Sequence, residues 1–305
     1  MRQRFLSLAV ALGVLAAMVV SMPVPADAQR GGGGGRGAAP PPEPGPFPRL
    51  SDGTPDMNGV WGISGGMGNI TGSIRRVGGA PVEGQAQIPY TPVYAQLASE
   101  SSGATAPRAY EEPELHCYMS GVPSHMWRQS YLGAGLVIQH TPDHVALFHE
   151  FQGSRRIVPL NAEPIPENVK LFMGAGVGRW EGDTLVIQTP NNNAITWFDN
   201  GGNRHSDQLV VTERFTPINA DAWSYEATFE DSEAFTTSWT IEAPMRRGNN
   251  PNAEILEFAC VEGNTDNLHY TEDVGGTTAI APPAAPDEFV NTGGGGGRGG
   301  RGGGQ

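Results

Sequence analysis

The sequence predicts an all-β fold, an antiparallel meander that closes into a barrel and carries one or two short helices. Turn-forming clusters separate alternating or apolar segments at 136–140, 145–151, 154–160, 177–189, 207–216, 222–230, 237–243 and 253–261. A helix start is evident at residues 91–98, where Thr91 can cap and Pro92 takes the first helical position. So many neighbouring antiparallel strands favour closure into a barrel, with a sandwich or another all-β fold as the alternative.

The first predicted strand carries the triplet GVW at residues 59–61. A Gly-x-Trp triplet is typical of the first strand of lipocalin-like barrels, and with the meander behind it a calycin-like barrel is favoured. Residues 47–292 are then one barrel domain, since their number suits a single large β domain.

The N-terminus has the pattern of a secretory signal peptide. A basic start is followed by an apolar run at residues 5–20 and by the small-residue site ADA at residues 26–28. The run is shorter than the roughly 20 residues that a spanning helix needs. We therefore expect residues 1–28 to be removed, with no membrane insertion afterwards, and the mature protein to be periplasmic or secreted.

Two low-complexity segments flank the predicted domain. Residues 29–46 are rich in Gly and Pro, and residues 293–305 contain only Gly, Arg and a final Gln. Such segments bury too little apolar surface to offset the entropy of ordering them, so both are predicted to be disordered.

Charge and motifs limit the partners. The chain has 19 Lys and Arg against 32 Asp and Glu, a formal net charge of −13. This acidity opposes nucleic-acid binding, including RNA binding by the Arg-Gly-Gly tail. The sequence has no nucleotide-binding, zinc-protease or serine-hydrolase motif, so no cofactor is predicted.

The two cysteines, Cys117 and Cys260, are 143 residues apart. In an exported protein such a pair favours a disulfide, and two separate buried thiols are the alternative.

A hairpin and two tryptophans suggest a ligand-binding wall. The segment GRWEGDTLVI at residues 178–187 predicts two strands joined at Glu181 and Gly182, with the glycine in the second loop position. Trp180 lies in this hairpin, and Trp197 lies in the segment TWFD that follows it. We expect both tryptophans to contact an apolar or aromatic ligand.

Hairpin register assigns the faces of the preceding strands. A two-residue loop at Gln152 and Gly153 would place His149 opposite Arg156, both on an otherwise apolar face. The same register would pair Glu150 with Arg155 on the other face. His149 and Arg156 are therefore predicted to bind ligand, with a satisfied interior histidine beside a structural arginine as the alternative.

Alternation over residues 205–215 supplies candidate catalytic groups. It places His205, Asp207 and Glu213 on one face with Leu209, Val211 and Phe215. A carboxylate among apolar side chains needs a partner or a function. Glu213 is thus expected either to act as an acid or base, or to form a structural ion pair, for example with Arg156 across the barrel.

No metal site is predicted. His140 would lie opposite Val145, which separates it from His149 by four residues, or about 13 Å at strand rise. Zinc ligands must all lie about 2 Å from the metal. A mixed site of His149, His205 and Glu213 stays geometrically open.

The blocks GVW (59–61), CYMSGVP (117–123), GRWEGDTLV (178–186), WFD (197–199), HS (205–206) and VTERF (211–215) resemble one family of exported bacterial proteins, in which they occur in this order. The resemblance covers most of the predicted domain and implies export, but it implies no activity. Members often have a Tyr-Glu-Tyr-like segment where this chain has His149, Glu150 and Phe151, so a role for His149 would be particular to this chain.

Two functions follow from the sequence. One is a small-molecule-binding barrel for an apolar or aromatic ligand. The alternative is a hydrolase, lyase or isomerase that works inside the barrel by acid/base catalysis. The fold cannot choose between them, since function depends on the site.

Overall fold

The computed structural model describes residues 41–63, 69–84, 86–103, 106–127, 135–248 and 254–262. The predicted signal peptide, linker residues 29–40 and the tail at 293–305 lie outside these residues. Close to the described start, Gly45 N donates to Ile218 O at 2.8 Å, and Asn219 Nδ2 donates to Glu43 O at 2.8 Å. The end of the predicted linker is therefore hydrogen-bonded to the barrel.

Eleven antiparallel strands form one sheet within the described residues. They are β1 Gly59–Ile63, β2 Ile74–Val77, β3 Ala80–Pro81, β4 Leu136–His140, β5 His144–His149, β6 Arg155–Pro159, β7 Val177–Glu181, β8 Thr184–Thr189, β9 Val210–Asn219, β10 Ala222–Glu230 and β11 Trp239–Arg247. The two α-helices of the described part are α1 Pro92–Ser101 and α2 Ser124–Trp127. The prediction of an all-β fold with short helices is confirmed.

The sheet is nearly closed into a barrel. Nine strands follow the order β6-β5-β4-β1-β11-β10-β9-β8-β7, while β2 and β3 continue from β11 outside this path. Its two end strands meet where Leu160, just after β6, forms a parallel bridge with Gly178 of β7. A Cβ atom on Gly178 would lie 2.7 Å from Leu160 Cδ2, so a larger residue at this position would require the Leu160 side chain to move. We call the line between β6 and β7 the seam.

Large aromatic side chains fill the barrel interior. Trp61, Trp223, Trp239, Phe215 and Phe229 are almost completely buried. Phe229 and Trp239 stack with ring centroids 4.1 Å apart, and Trp61 meets Trp223 edge to face at 6.3 Å. Rings of this size bury more apolar area than any other side chains, so they dominate the stability of the core.

The predicted alternation of buried and exposed side chains is confirmed in β9, but it does not extend to the residues that precede this strand. Leu209, Val211, Glu213 and Phe215 are buried as expected. The strand begins at Val210, however, and residues before it form turns. His205 and Asp207 therefore do not continue the face of Glu213. The predicted strand at 253–261 is also wrong, because its described part, residues 254–261, lies in no strand.

The β7–β8 and β5–β6 turns differ by one or two residues from the turns that the sequence predicts. Glu181 pairs with Thr184, so the β7–β8 loop consists of Gly182 and Asp183, with the glycine first at φ +62°. Between β5 and β6 the turn is longer, and Gln152 and Gly153 both have positive φ. Both turns place a glycine in the left-handed region, where its cost is small, and the β5–β6 turn places Gln152 there as well.

The register of β5 with β6 is shifted by two residues from the predicted one. Arg156 lies opposite Leu147, and Arg155 lies opposite Phe148, so the predicted Glu150–Arg155 pair is wrong. His140 does pair with Val145, as predicted. Because side chains alternate with a period of two, a shift of two keeps every residue on its face. His149 and Arg156 are therefore both interior, with exposed fractions of 1% and 4%.

Helix α1 and the disulfide occur where the sequence predicts them. Thr91 is the N-cap residue and Pro92 follows it, but the Thr91 hydroxyl donates to Glu233 O at 3.1 Å and does not cap the helix. Cys117 and Cys260 are joined, which confirms the disulfide. In the described part of the chain, no helix has the length and apolar character to cross a membrane.

Candidate functional site

A buried ion pair joins two strands on either side of the seam. Arg156 of β6 places Nη2 2.5 Å from Oε2 of Glu213 on β9, and both side chains are almost completely buried. The same Nη2 donates to Thr189 Oγ1 at 2.5 Å. The contact with Glu213 is an ion pair without a well-directed hydrogen bond, since Oε2 receives none. The predicted meeting of Arg156 and Glu213 inside the barrel is confirmed.

Tyr225 of β10 holds the other oxygen of Glu213. Its hydroxyl donates to Oε1 at 2.9 Å. Burial raises the pKa of Tyr225 well above its usual value, and the negative charge of Glu213 raises it further. With the Tyr225 hydroxyl on one oxygen and the Arg156 guanidinium beside the other, each carboxylate oxygen of Glu213 has a partner within the barrel.

Two histidines face each other next to this pair. His125 of α2 and His149 of β5 lie edge to face, with ring centroids 4.5 Å apart. His125 Nδ1 lies 2.9 Å from Gly121 O, and because a carbonyl can only accept, this nitrogen carries the proton. We call His125, His149, Arg156, Thr189, Glu213 and Tyr225 the inner polar cluster.

Both histidines of the cluster are neutral at pH 7. Burial, followed by the positive charge of Arg156, lowers the pKa of His149 to about 3. Burial also holds the pKa of His125 well below its usual value, and His149 and Arg156 lower it further. Each ring therefore offers one N–H donor and one acceptor nitrogen.

Several nitrogen atoms of the cluster have no hydrogen-bond partner among the described residues. They are both ring nitrogens of His149, Nε2 of His125, and Nε and Nη1 of Arg156. Buried polar atoms are nearly always paired in native proteins, since an unpaired one costs roughly 1–3 kcal/mol. Either buried water or a polar ligand group satisfies such atoms.

An apolar cleft opens beside the cluster, along the seam. Its volume is about 440 Å³, and β6 and residues 171–177 form its walls. Of the seven exposed large hydrophobic side chains in the described residues, four line this cleft: Met119, Ile157, Ile165 and Leu171. Exposed apolar side chains are thus concentrated here, which is the mark of a binding surface.

Arg156 links the cleft to the inner polar cluster. Three charged side chains line the cleft, of which Arg155 and Glu163 are exposed and Arg156 is buried. Gly176 also lines the cleft, and a Cβ atom there would lie 3.0 Å from Arg156 Nη2. Gly176 therefore packs directly against the guanidinium of Arg156. We call this opening, lined by β6 and residues 171–177, the seam cleft.

The other predicted site residues lie elsewhere. His205 Nε2 accepts from Thr196 Oγ1 at 2.9 Å, and its Nδ1 donates to Ser206 O at 2.8 Å, so both ring nitrogens are occupied. Burial lowers the pKa of His205. Asp207 accepts from Gln208 Nε2 at 2.7 Å on the surface. Neither joins Glu213, so the three predicted catalytic residues are not brought together.

The two tryptophans are also apart from the seam cleft. Trp180 lies against the ring of His140 at 5.4 Å, and Trp197 is buried under the guanidinium of Arg204 at 4.5 Å. Neither is among the residues that line the cleft.

Sequence reasoning missed His125, Thr189 and Tyr225. Tyr225 could have been found, because it is an interior position of β10, which alternates regularly, and it lies opposite Phe215. Thr189 lies opposite Val211, but β8 buries three consecutive residues and gives no clear alternation. His125 had no such signal, since α2 has four residues and no periodic pattern.

No group of three or more His, Cys, Asp or Glu residues in the described ranges is arranged to hold a metal ion. The mixed site of His149, His205 and Glu213 does not form there, because hydrogen bonds occupy both nitrogens of His205.

Comparison of the chain with protein-family models, with curated proteins and with solved structures gives no match.

Proposed function

We propose that this protein is an exported binding protein for one small, mostly apolar or aromatic molecule, which lies in the seam cleft with its polar end towards Arg156. The observation that carries the proposal is the coincidence of exposed apolar side chains with a buried arginine that has unpaired N–H groups. Ligand sites combine apolar walls with a few polar groups that fix orientation.

The contacts of Glu213 favour binding over catalysis. An acid/base enzyme needs a group whose pKa lies near the working pH. Glu213 is engaged by Tyr225 and Arg156. His149 has a pKa of about 3, which makes it a weak base at neutral pH. The hydrolase, lyase or isomerase alternative therefore has less support than the binding function.

Export is supported by two independent observations. Residues 1–28 have the pattern of a cleavable signal peptide. The Cys117–Cys260 disulfide suits an oxidising compartment such as the periplasm or the extracellular space.

The test uses N-phenyl-1-naphthylamine, an uncharged aromatic reporter whose fluorescence rises in apolar surroundings. We expect the protein to bind it, and Ile157→Glu to weaken that binding about tenfold, because a carboxylate in an apolar wall is costly to desolvate. Ile157 is 58% exposed, so the substitution should leave stability nearly unchanged. Fluorescence titration gives the affinity, and urea unfolding checks the fold.

Val93→Glu is the matched control. Val93 is an apolar residue of α1 that is 65% exposed and lies outside the cleft lining. Its variant should bind the reporter like the unmodified protein. Equal affinities for the Ile157 and Val93 variants, or no reporter binding by the unmodified protein, would refute the proposed site.

A further inference from the structure

One edge of β6 turns its backbone hydrogen-bonding groups towards the seam. In the ladder that joins β5 to β6, His149 N donates to Ser154 O at 2.8 Å. Backbone groups of successive residues point to opposite sides of a strand, so the even-numbered residues of β6 bond to β5. The N–H and C=O groups of Arg155 and Ile157 therefore point away from β5, into the seam cleft that both residues line.

This edge is open in the part of the chain that the structure describes. There, β5 is the one strand that pairs with β6. The opposite wall of the cleft bonds elsewhere, since Ala175 N donates to Pro190 O at 2.9 Å, and no backbone hydrogen bond joins Arg155 or Ile157 to described residues of that wall. The sheet is thus split along the cleft, and an open strand edge is a template for a further backbone.

The groups at Ile157 fit one extended amino-acid residue. Two residues that face each other in an antiparallel ladder exchange both of their N–H···O bonds. A single trans amide does not fit, because its N–H and C=O groups point in opposite directions. Pro159 has no N–H group, so Ile157 is the last donor on this edge of β6.

We propose that the seam cleft takes a short apolar peptide in extended conformation, one residue of which exchanges two backbone hydrogen bonds with Ile157. This inference rests on the proposed function, because it takes the ligand to lie in the seam cleft, but it does not need the contact with Arg156. The cleft volume of about 440 Å³ is within the range of small-molecule sites, roughly 300–1,000 Å³. Met119, Ile165 and Leu171 supply apolar contacts for the peptide side chains. Peptides add to other sheet edges in this way, with affinity from the main chain and specificity from the side-chain pockets.

The first test uses the unmodified protein and two probes of the same shape. One is N-acetyl-L-phenylalanine N-methylamide, and the other is its ester analogue, in which an oxygen replaces the acetylated N–H. Each displaces the fluorescent reporter at pH 7.5. We expect the peptide to bind at least about tenfold more tightly, because the ester leaves the carbonyl of Ile157 without a donor.

The second test removes the donor of the protein. Ile157→Pro deletes an N–H group that faces away from β5, so the ladder with β5 is kept, and proline is tolerated on edge strands. The variant should bind the peptide about tenfold more weakly, with reporter affinity changed by less than about threefold. Ile157→Ala is the control, because it shortens the side chain but keeps the N–H group, and it should weaken peptide and reporter in equal proportion. Urea unfolding checks both variants.

The outcomes separate this inference from the proposed function. If reporter binding depends on Ile157 but the ester binds as tightly as the peptide, the inference fails and the binding function stands. If Ile157→Pro weakens the peptide no more than Ile157→Ala does, Ile157 is not the donor and the inference also fails. If Ile157→Pro does not fold, the comparison of peptide and ester decides alone. If neither reporter nor peptide uses the cleft, both proposals fail.

Discussion

Arg156→Met is expected to lower the free energy of unfolding by about 3–5 kcal/mol, since breaking a buried ion pair leaves the other charge uncompensated. Glu213 is 0% exposed and sits between Arg156 and the hydroxyl of Tyr225. Without the guanidinium, the carboxylate must stay charged in an apolar interior or take up a proton. Urea unfolding at pH 7.5 measures the loss.

Two further variants test whether the lost charge is the cause. Arg155→Met removes a neighbouring arginine whose side chain is exposed, and it should change stability by less than about 0.5 kcal/mol. Arg156→Met combined with Glu213→Gln removes both charges while keeping an acceptor for Tyr225, so most of the stability should return. If the double variant is no more stable than Arg156→Met, lost packing of the arginine stem is the cause and the charge argument is wrong.

The interior faces of the barrel were predictable because alternation tolerates small errors in register. His149 and Arg156 were placed on one interior face although their pairing was wrong by two residues. The same reasoning failed for His205 and Asp207, because the backbone before Val210 turns and a period of two no longer applies. Alternation therefore identifies a face only as far as the strand extends.

The site itself depended on features that a local pattern does not contain. The seam cleft exists because β6 and β7, which are neighbours in the chain, come together through the bridge of Leu160 with Gly178. His125 enters the barrel from a helix of four residues after Gly121, where a Cβ atom would lie 2.6 Å from Thr196. The seam cleft therefore depends on contacts between distant parts of the sheet, and the position of His125 depends on a close backbone approach. Neither feature produces a periodic pattern within a single strand or helix.

Acidification from pH 6 to pH 5 is expected to lower the free energy of unfolding by about 2.4 kcal/mol through His125 and His149 alone. Each histidine that stays neutral when folded contributes about 1.2 kcal/mol, slightly below the limit of about 1.4 kcal/mol per pH unit, because the unfolded side chain is about three-quarters protonated at pH 6. The pKa of His149 falls from an ordinary value near 6.5 to about 3 in the folded protein, and that of His125 is also lowered well below 6.5. Below pH 6.5 the unfolded chain binds protons that the folded protein does not. Stability is therefore complete above that pH and is lost as the pH falls, until His149 itself becomes protonated near pH 3.

Replacing one histidine separates its contribution from those of other groups. His149→Gln cannot titrate, so the slope of unfolding free energy against pH between 6 and 5 should decrease by slightly less than one proton, or about 1.2 kcal/mol per pH unit. His205 and His140, whose pKa values burial also lowers, contribute to the slope in both proteins and cancel in the comparison. An unchanged slope in His149→Gln would mean that His149 takes up its proton in the folded protein, and that the inner polar cluster is open to water or to a counter-charge that the paired Arg156 and Glu213 do not supply.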